Sequence, residues 1–123
     1  MNTRAKGARA EAVAVSYLIG KGYSIEATNW RKKTYEVDIV ARKGDGLVIV
    51  EVKSSRSSLI DPPQLRVTKT KQKRLVAAAW EYLSLLDWEP VEIRFDIIAI
   101  TWPYGKSPEI CHIESAFTAD VDD

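Results

Sequence analysis

The chain has 123 residues, with 18 Lys and Arg, 17 Asp and Glu, and a formal net charge of +1. Its 46% hydrophobic and 28% charged content is typical of a soluble globular protein, and its length predicts one domain over residues 1–123. A single cysteine, Cys111, and a single histidine, His112, exclude an internal disulfide and a zinc cluster.

The cysteine count also bears on the compartment of the protein. A lone cysteine favours a reducing, cytoplasmic setting. Residues 12–20 are apolar, but Glu11 interrupts their entry and Lys21 follows at once, so we expect no signal peptide. No apolar stretch is long enough to span a membrane, and none is expected.

The charges are distributed unevenly along the chain. Residues 1–106 contain all 18 bases against 12 acids, whereas residues 107–123 contain five acids and no base. This asymmetry favours a polyanion partner. A solvated surface with a frayed acidic tail over residues 118–123 would produce the same counts.

The first predicted element is a helix over residues 3–21. Its apolar stripe is predicted to comprise Ala8, Ala12, Val15 and Ile19. Glu11 lies on this side, where a buried carboxylate should find a cation or a hydrogen-bond donor. Alternatively, Glu11 lies at the edge of the stripe and pairs with Arg4 or with solvent.

A strand is predicted over residues 23–30, and a basic segment follows it. The bases are Arg31, Lys32 and Lys33. Cations beside the indole of Trp30 could bind a phosphate backbone while the ring stacks on a base. The alternative is a buried Trp30 followed by a solvated turn.

Residues 35–53 are predicted to form a β-hairpin around the turn Gly44-Asp45-Gly46. The second strand is a nearly continuous β-branched run, which is typical of a strand buried on both faces. Glu51 nevertheless interrupts this run. A buried charge is costly without a partner, so the opposite strand should supply one.

The partner of Glu51 follows from the register of the hairpin. With a two-residue loop, counting outward places Asp38 opposite Glu51. The same register places Glu36 opposite Lys53, on the same face of the sheet. Opposed side chains have Cβ atoms about 5 Å apart, so the two carboxylates would repel one another unless a cation lay between them. The hairpin therefore predicts a divalent metal site.

A Ser-rich loop with two prolines is predicted over residues 54–64 and is a candidate substrate flap. A second helix is predicted over residues 68–86. The apolar face of this helix includes Leu75, Ala79 and Tyr82. Its first turns contain the cations Lys69, Lys71, Lys73 and Arg74. Cations there oppose the helix macrodipole, so they indicate a nearby anion or else a solvated face. Lys71 is four residues before Leu75 and is predicted to face inward.

Strands over residues 91–100 and 109–116 complete the predicted order. The order of helices and strands predicts an α/β fold, in which one mixed sheet is flanked by helices. This order of elements, together with the spacing of the acidic residues and lysines, resembles that of a known protein family.

The motif residues occur in the order Glu11, Glu36-x-Asp38 and Glu51-x-Lys53. The matching stretches around them are Gly22-Tyr23, Asn29-Trp30-Arg31, residues 36–41 and 50–53, Val67-Thr68 with Lys71, residues 94–100, Ile113, and Ala116-Phe117. The order resembles the PD-(D/E)xK nuclease superfamily, which includes restriction enzymes and archaeal Holliday-junction resolvases. Over almost its whole length the chain is similar to the YraN family of small bacterial proteins.

The resemblance implies a restriction-endonuclease-like αβββαβ core and an endonuclease that uses Mg²⁺ or Mn²⁺ to hydrolyse DNA, with structured or branched DNA as a candidate substrate. It implies Asp38 and Glu51 as metal ligands and Lys53 as the lysine of the motif. Glu11 is an additional acid that could hold a second metal, and Glu36 could position Lys53.

The resemblance also bears on partners and on the competing function. It implies no small-molecule cofactor. Resolvase-type cutting would require a homodimer, because two strands must be reached. The alternative function is a non-catalytic nucleic-acid-binding protein that keeps the nuclease-like fold and the basic helix.

Overall fold

The computed structural model describes residues 3–55 and 67–120. In chain order the elements are α1 (Thr3–Gly20), β1 (Ser24–Lys32), β2 (Tyr35–Lys43), β3 (Gly46–Ser55), α2 (Lys69–Leu83), β4 (Glu92–Thr101) and β5 (Glu109–Phe117). The predicted α/β class and αβββαβ order are therefore confirmed, with β5 as the additional strand. Most of the predicted loop over residues 54–64, and the end of the predicted tail, lie outside the described residues.

The strands form one mixed sheet in the order β1-β2-β3-β4-β5. Among the described strands, β3 and β4 pair in parallel, and the other neighbours are antiparallel. Parallel neighbours need a long crossover connection, whereas antiparallel neighbours can be joined by tight turns. The chain between β3 and β4 contains α2, which accounts for the parallel pair.

The hairpin between β2 and β3 has the predicted register. Lys43 pairs with Gly46 across a two-residue loop, and Gly44 has φ +59°, a conformation that glycine adopts without a steric penalty. The ladder continues to the pair Ile39–Val50. It therefore ends one position short of the predicted Asp38–Glu51 pair, at the place where the candidate site begins.

The two helices cover opposite faces of the sheet. On the α1 face the buried residues are Ala10, Ala14, Leu18, Tyr23, Ile39, Ala41, Val48, Val50, Ile98 and Ile100. On the α2 face they are Val37, Val40, Leu47, Ile49, Val67, Leu75, Ala78, Ala79, Tyr82, Phe95 and Ile97. Each large aliphatic side chain buried in this way stabilises the fold by about 1.5–3 kcal/mol. The centre of β3 is covered on both faces, as its β-branched run predicts.

The apolar stripe predicted for α1 is wrong. Ala8 and Ala12 are exposed and Ile19 is 57% exposed, while Val15 is half-buried. The residues that pack against the sheet are instead Ala10, Ala14 and Leu18. Apolar residues surround this helix, so periodicity does not select one face. Small side chains at the contact allow the helix to approach the sheet closely.

The predicted apolar face of α2 is confirmed, because Leu75, Ala79 and Tyr82 are all buried. The helix begins after Thr68, whose hydroxyl accepts a hydrogen bond from the backbone N–H of Lys71 at 3.2 Å. This cap fixes the first turn of α2, which carries Lys71 toward the sheet. In the described part of the chain, no helix combines the length and the apolar composition needed to cross a lipid bilayer.

Candidate active site

Asp38 lies where β2 and β3 separate. Its carboxylate oxygen Oδ2 accepts a hydrogen bond from the backbone N–H of Val52 at 2.8 Å, and so replaces a backbone acceptor beyond the end of the ladder. Alternate residues of a strand normally share one face, yet Val37 packs on the α2 face and Ile39 on the α1 face. The strand is therefore twisted at Asp38, so that the residues before and after Asp38 face opposite sides of the sheet.

Glu51 is close to Asp38 and is largely buried, with a side chain that is 15% exposed. Burial raises the pKa of Glu51 to about 7, and the charge of Asp38 and a hydrogen bond with it act in the same direction. The charges of Lys71 and Lys53 partly oppose this rise in pKa. Two carboxylates in contact retain a proton near neutral pH because both cannot be charged without a compensating cation.

Two lysines from different elements act on Glu51. The Nζ atom of Lys71 in α2 lies 3.7 Å from the Glu51 Oε2 atom, and its side chain is 44% exposed. Lys53 follows Glu51 by two residues on β3, and its positive charge also favours the ionised form of Glu51. The structure thus brings Asp38, Glu51, Lys53 and Lys71 together from the hairpin and the second helix.

Glu11 approaches the same region from α1. Burial raises the pKa of Glu11, a hydrogen bond with Asn29 lowers it, and the negative charges of Asp38 and Glu36 raise it. Arg31 provides a smaller compensating positive charge. Glu11 is half-buried and follows Ala10, which packs against the sheet. The charges of Asp38 and Glu36 act on it, so it lies near these two acids.

Asn29 is a site residue that sequence reasoning missed. It belongs to β1 but has φ +50°, a left-handed conformation that asparagine adopts more readily than most residues. Its side chain forms the hydrogen bond with Glu11. An asparagine inside a predicted strand was the available signal, because asparagine is otherwise depleted in strands.

Glu36 has a different partner from the predicted one. It pairs with Arg31 in the β1–β2 ladder, and its Oε1 atom lies 3.5 Å from the Arg31 guanidinium. The described contacts therefore place Glu36 against β1 rather than against Lys53. The physical reason is that the β2–β3 ladder ends at Ile39–Val50, before it reaches Glu36.

The basic segment after β1 is divided between packing and solvent. Trp30 is partly buried and packs edge-on against Tyr82 with ring centroids 5.3 Å apart. Lys32 Nζ lies 3.1 Å from Glu81 Oε2 on α2. Lys33 is exposed in the turn that follows. The exposed cations of α2 are Lys69, Lys73 and Arg74.

The donor set decides which metals the site fits. Within residues 3–55 and 67–120, no group of three or more His, Cys, Asp or Glu side chains is close enough to hold a metal ion. Mg²⁺ usually binds through one or two carboxylates and several waters. The Asp38–Glu51 pair satisfies this requirement. Its oxygen donors fit Mg²⁺ and Mn²⁺ rather than metals that prefer thiolate ligands.

A mixed five-stranded sheet between two helices is consistent with a restriction-endonuclease-like core. The chain belongs to the Uncharacterised protein family UPF0102, the YraN family, which matches residues 10–100.

Three relatives illustrate the extent of the family similarity. A UPF0102 protein of Geotalea uraniireducens is 41% identical over 94% of this chain and 91% of its own length. One from Rhodococcus opacus is 41% identical over 92% of this chain and 96% of its own. One from Bacteroides thetaiotaomicron is 44% identical over 90% of each chain.

The raised pKa of Glu51 predicts a pH-dependent effect of Glu51→Gln on stability. The pKa of Glu51 rises from its ordinary 4.5 to about 7 on folding, so the protonated side chain stabilises the folded state. This contribution to stability is complete below pH 4.5 and is lost as pH rises through 7. We expect the variant to gain on the order of 2 kcal/mol over wild type between about pH 5 and pH 8.

Urea unfolding of both proteins in EDTA measures this difference. A stability difference that is the same at both pH values would contradict the assignment of this titration to Glu51.

Proposed function

We propose that the protein is a metal-dependent endonuclease that hydrolyses DNA phosphodiesters. The observation that supports this function is the Asp38–Glu51 pair: two carboxylates in contact at the open end of a hairpin, one of them largely buried and with a raised pKa. Such a pair is unfavourable for folding alone. It becomes favourable when a divalent cation neutralises both charges.

The residues of the site divide the chemistry among them. Asp38, Glu51 and the Val52 carbonyl would hold Mg²⁺ or Mn²⁺. When bound, the metal would polarise the scissile phosphate and lower the pKa of a water molecule. Lys53 would orient this water or stabilise the charge that develops on the phosphate. Glu11, through its position beside Asp38, would accept a hydrogen bond from a second water.

Lys71 has a role that changes with the state of Glu51. In the metal-free protein its ammonium group compensates the Glu51 charge at 3.7 Å. Once the carboxylate is engaged elsewhere, the same ammonium group can contact a phosphate oxygen of the substrate. Its exposure of 44% leaves this contact accessible from solvent.

Cations on α2 and near the β1–β2 turn would provide the positive charge that DNA binding requires. On α2 these are Lys69, Lys71, Lys73 and Arg74, and near the β1–β2 turn they are Arg31, Lys32 and Lys33. Phosphate contacts by such residues provide affinity without sequence specificity, and they weaken as salt rises. Lys32 is already engaged with Glu81, so we expect it to contribute less than Lys33.

Cleavage assays test the proposal directly. Purified protein is incubated with labelled duplex, single-stranded and four-way-junction DNA, with Mg²⁺ or Mn²⁺ and then with EDTA. We expect metal-dependent cleavage of at least one substrate and no cleavage in EDTA. If none of the three DNAs is cut with either metal, the nuclease function is wrong.

One observation favours a second candidate, a non-catalytic nucleic-acid-binding protein. The Lys71–Glu51 ion pair partly compensates the buried carboxylate without a metal. In that case DNA affinity should fall with salt, as cation–phosphate contacts require. It should also not be strengthened by Mg²⁺ relative to EDTA, because Mg²⁺ competes for the phosphates, and it should survive Glu51→Gln. Metal-dependent affinity that is lost in this variant would exclude the second candidate.

A further inference from the structure

An exposed aromatic residue lies on the turn that joins β4 to β5. Residues 103–106 close this turn through a hydrogen bond from the backbone N–H of Lys106 to the Pro103 carbonyl at 3.1 Å. Gly105 has φ +69°, which the turn requires. Tyr104 at the tip is 102% exposed, so its ring contributes no packing to the core.

The base of the turn is fixed by Trp102. Its backbone N–H donates to the Ser55 carbonyl at 2.9 Å, and its indole Nε1–H donates to the Ser54 hydroxyl at 2.8 Å. The Arg9 guanidinium from α1 lies over the indole, 4.6 Å from the ring centroid. Trp102 is therefore held by β3 on one side and by α1 on the other. These contacts fix the position of the turn that carries Tyr104.

The turn emerges near the candidate active site. Lys53 pairs with Ala99 in the parallel β3–β4 ladder, and Trp102 follows Ala99 by three residues. At about 3.3 Å per residue, the start of the turn is roughly 10 Å beyond Lys53 along the sheet. Phosphates along one strand of duplex DNA are about 3.4 Å apart along the axis and are farther apart in an extended single strand, so this distance corresponds to at most about three nucleotides.

We propose that Tyr104 is a stacking platform for an unpaired DNA base a few nucleotides from the cleaved phosphate. The proposal rests on the nuclease function and specifies the substrate as DNA with a single-stranded segment beside the cut. A base inside a duplex already stacks on both of its neighbours, whereas an unpaired base has a free face for an aromatic ring. Arg9, which lies over the Trp102 ring at the base of the turn, and Lys106, two residues after Tyr104, add positive charge to this region, which favours contacts with DNA phosphates.

Binding measurements on duplexes with different ends test the platform. The probes are a blunt duplex and duplexes that end in a single-stranded overhang of either polarity, with 2-aminopurine in the overhang next to the paired region. Wild type, Tyr104→Ala and Tyr104→Phe are compared in Ca²⁺ by fluorescence titration. Val91→Ala is the matched control, because Val91 is an exposed apolar residue at the opposite end of β4.

We expect wild type and Tyr104→Phe to prefer an overhang duplex over the blunt duplex and to quench 2-aminopurine on binding. Tyr104→Ala should lose about tenfold in affinity for the overhang duplex and should not quench the probe. Val91→Ala should retain the wild-type preference and quenching.

Two outcomes overturn the proposal, and they are distinguishable. If wild type cleaves DNA but Tyr104→Ala binds and quenches the overhang probe as wild type does, the platform is wrong and the nuclease function stands. If wild type neither binds nor cleaves any DNA, both the platform and the nuclease function are wrong.

Discussion

Arg94→Met is expected to destabilise the protein by about 3–5 kcal/mol, the cost of leaving a buried charge without its partner. Asp96 on β4 is 1% exposed. Arg94 donates two hydrogen bonds to its carboxylate, from Nε to Oδ1 at 2.9 Å and from a terminal nitrogen to Oδ2 at 2.8 Å. Methionine can replace the packing of the side chain but neither hydrogen bond.

The loss should extend beyond this pair because Asp96 has partners on β5. His112 Nε2 lies 2.7 Å from Asp96 Oδ2, and the backbone N–H of Ser115 donates to Oδ1 at 3.0 Å. Tyr17 of α1 reaches His112, with its hydroxyl oxygen 3.1 Å from Nδ1. An Asp96 carboxylate that has lost its Arg94 partner would therefore disturb the contacts that hold β5 and α1 in place.

Urea unfolding at neutral pH measures this effect. Arg94→Lys should fall between wild type and Arg94→Met, because lysine keeps the charge but not the paired donors. The matched control is Arg42→Met, since Arg42 lies over the Trp88 ring at 3.9 Å on the protein surface. Its loss should be about 1 kcal/mol. Equal losses at the two positions would contradict a special role for the buried network.

Asp38→Asn is expected to lower metal-dependent cleavage by at least about a hundredfold while the fold is retained. Even residues that only orient metal ligands affect activity by about 10–100-fold, so a direct ligand should matter more. The amide side chain of Asn keeps an oxygen that can accept the hydrogen bond from the Val52 N–H, which is 2.8 Å long in the wild-type protein. It cannot supply the negative charge that a divalent cation requires.

Two measurements separate these roles of Asp38. Single-turnover cleavage gives the activity, and calorimetric titration with Mn²⁺ gives the metal affinity. The control is Asp45→Asn, the same chemical change in the turn at the opposite end of the hairpin, where Asp45 is exposed. Asp38→Asn that binds Mn²⁺ as tightly as wild type would show that Asp38 is not a ligand.

Local rules predicted the hairpin but not its open end. The Gly-rich turn fixes the register, and counting from it correctly predicts the pairing as far as Ile39–Val50. Beyond that point the Asp38 side chain takes the hydrogen bond of Val52 N–H, and Glu36 turns to Arg31 on β1. This outcome depends on competition among three strands, which a two-strand register does not contain.

Helix faces were predictable only where polar residues mark the opposite side. On α2 the cations leave one apolar face, and Leu75 and Tyr82 are buried as predicted. On α1 apolar residues occur all around, so the buried face is chosen by the sheet and by contacts such as Tyr17 with His112. The Arg94–Asp96–His112 network was likewise not predicted, because its members are adjacent only after β4 and β5 pair.

The contact between Tyr17 and His112 has a consequence for the order of assembly. These residues are 95 positions apart in the chain, so their contact must wait until β5 has been synthesised. Closing such a long segment is entropically costly, and contacts of this kind slow folding. The hairpin can pair locally and early, whereas the contact between α1 and the last strand forms late. A ribosome-bound chain that lacks β5 should therefore leave Tyr17 without its His112 contact and the edge of β4 unpaired, although α1 can already pack on β3 and β4.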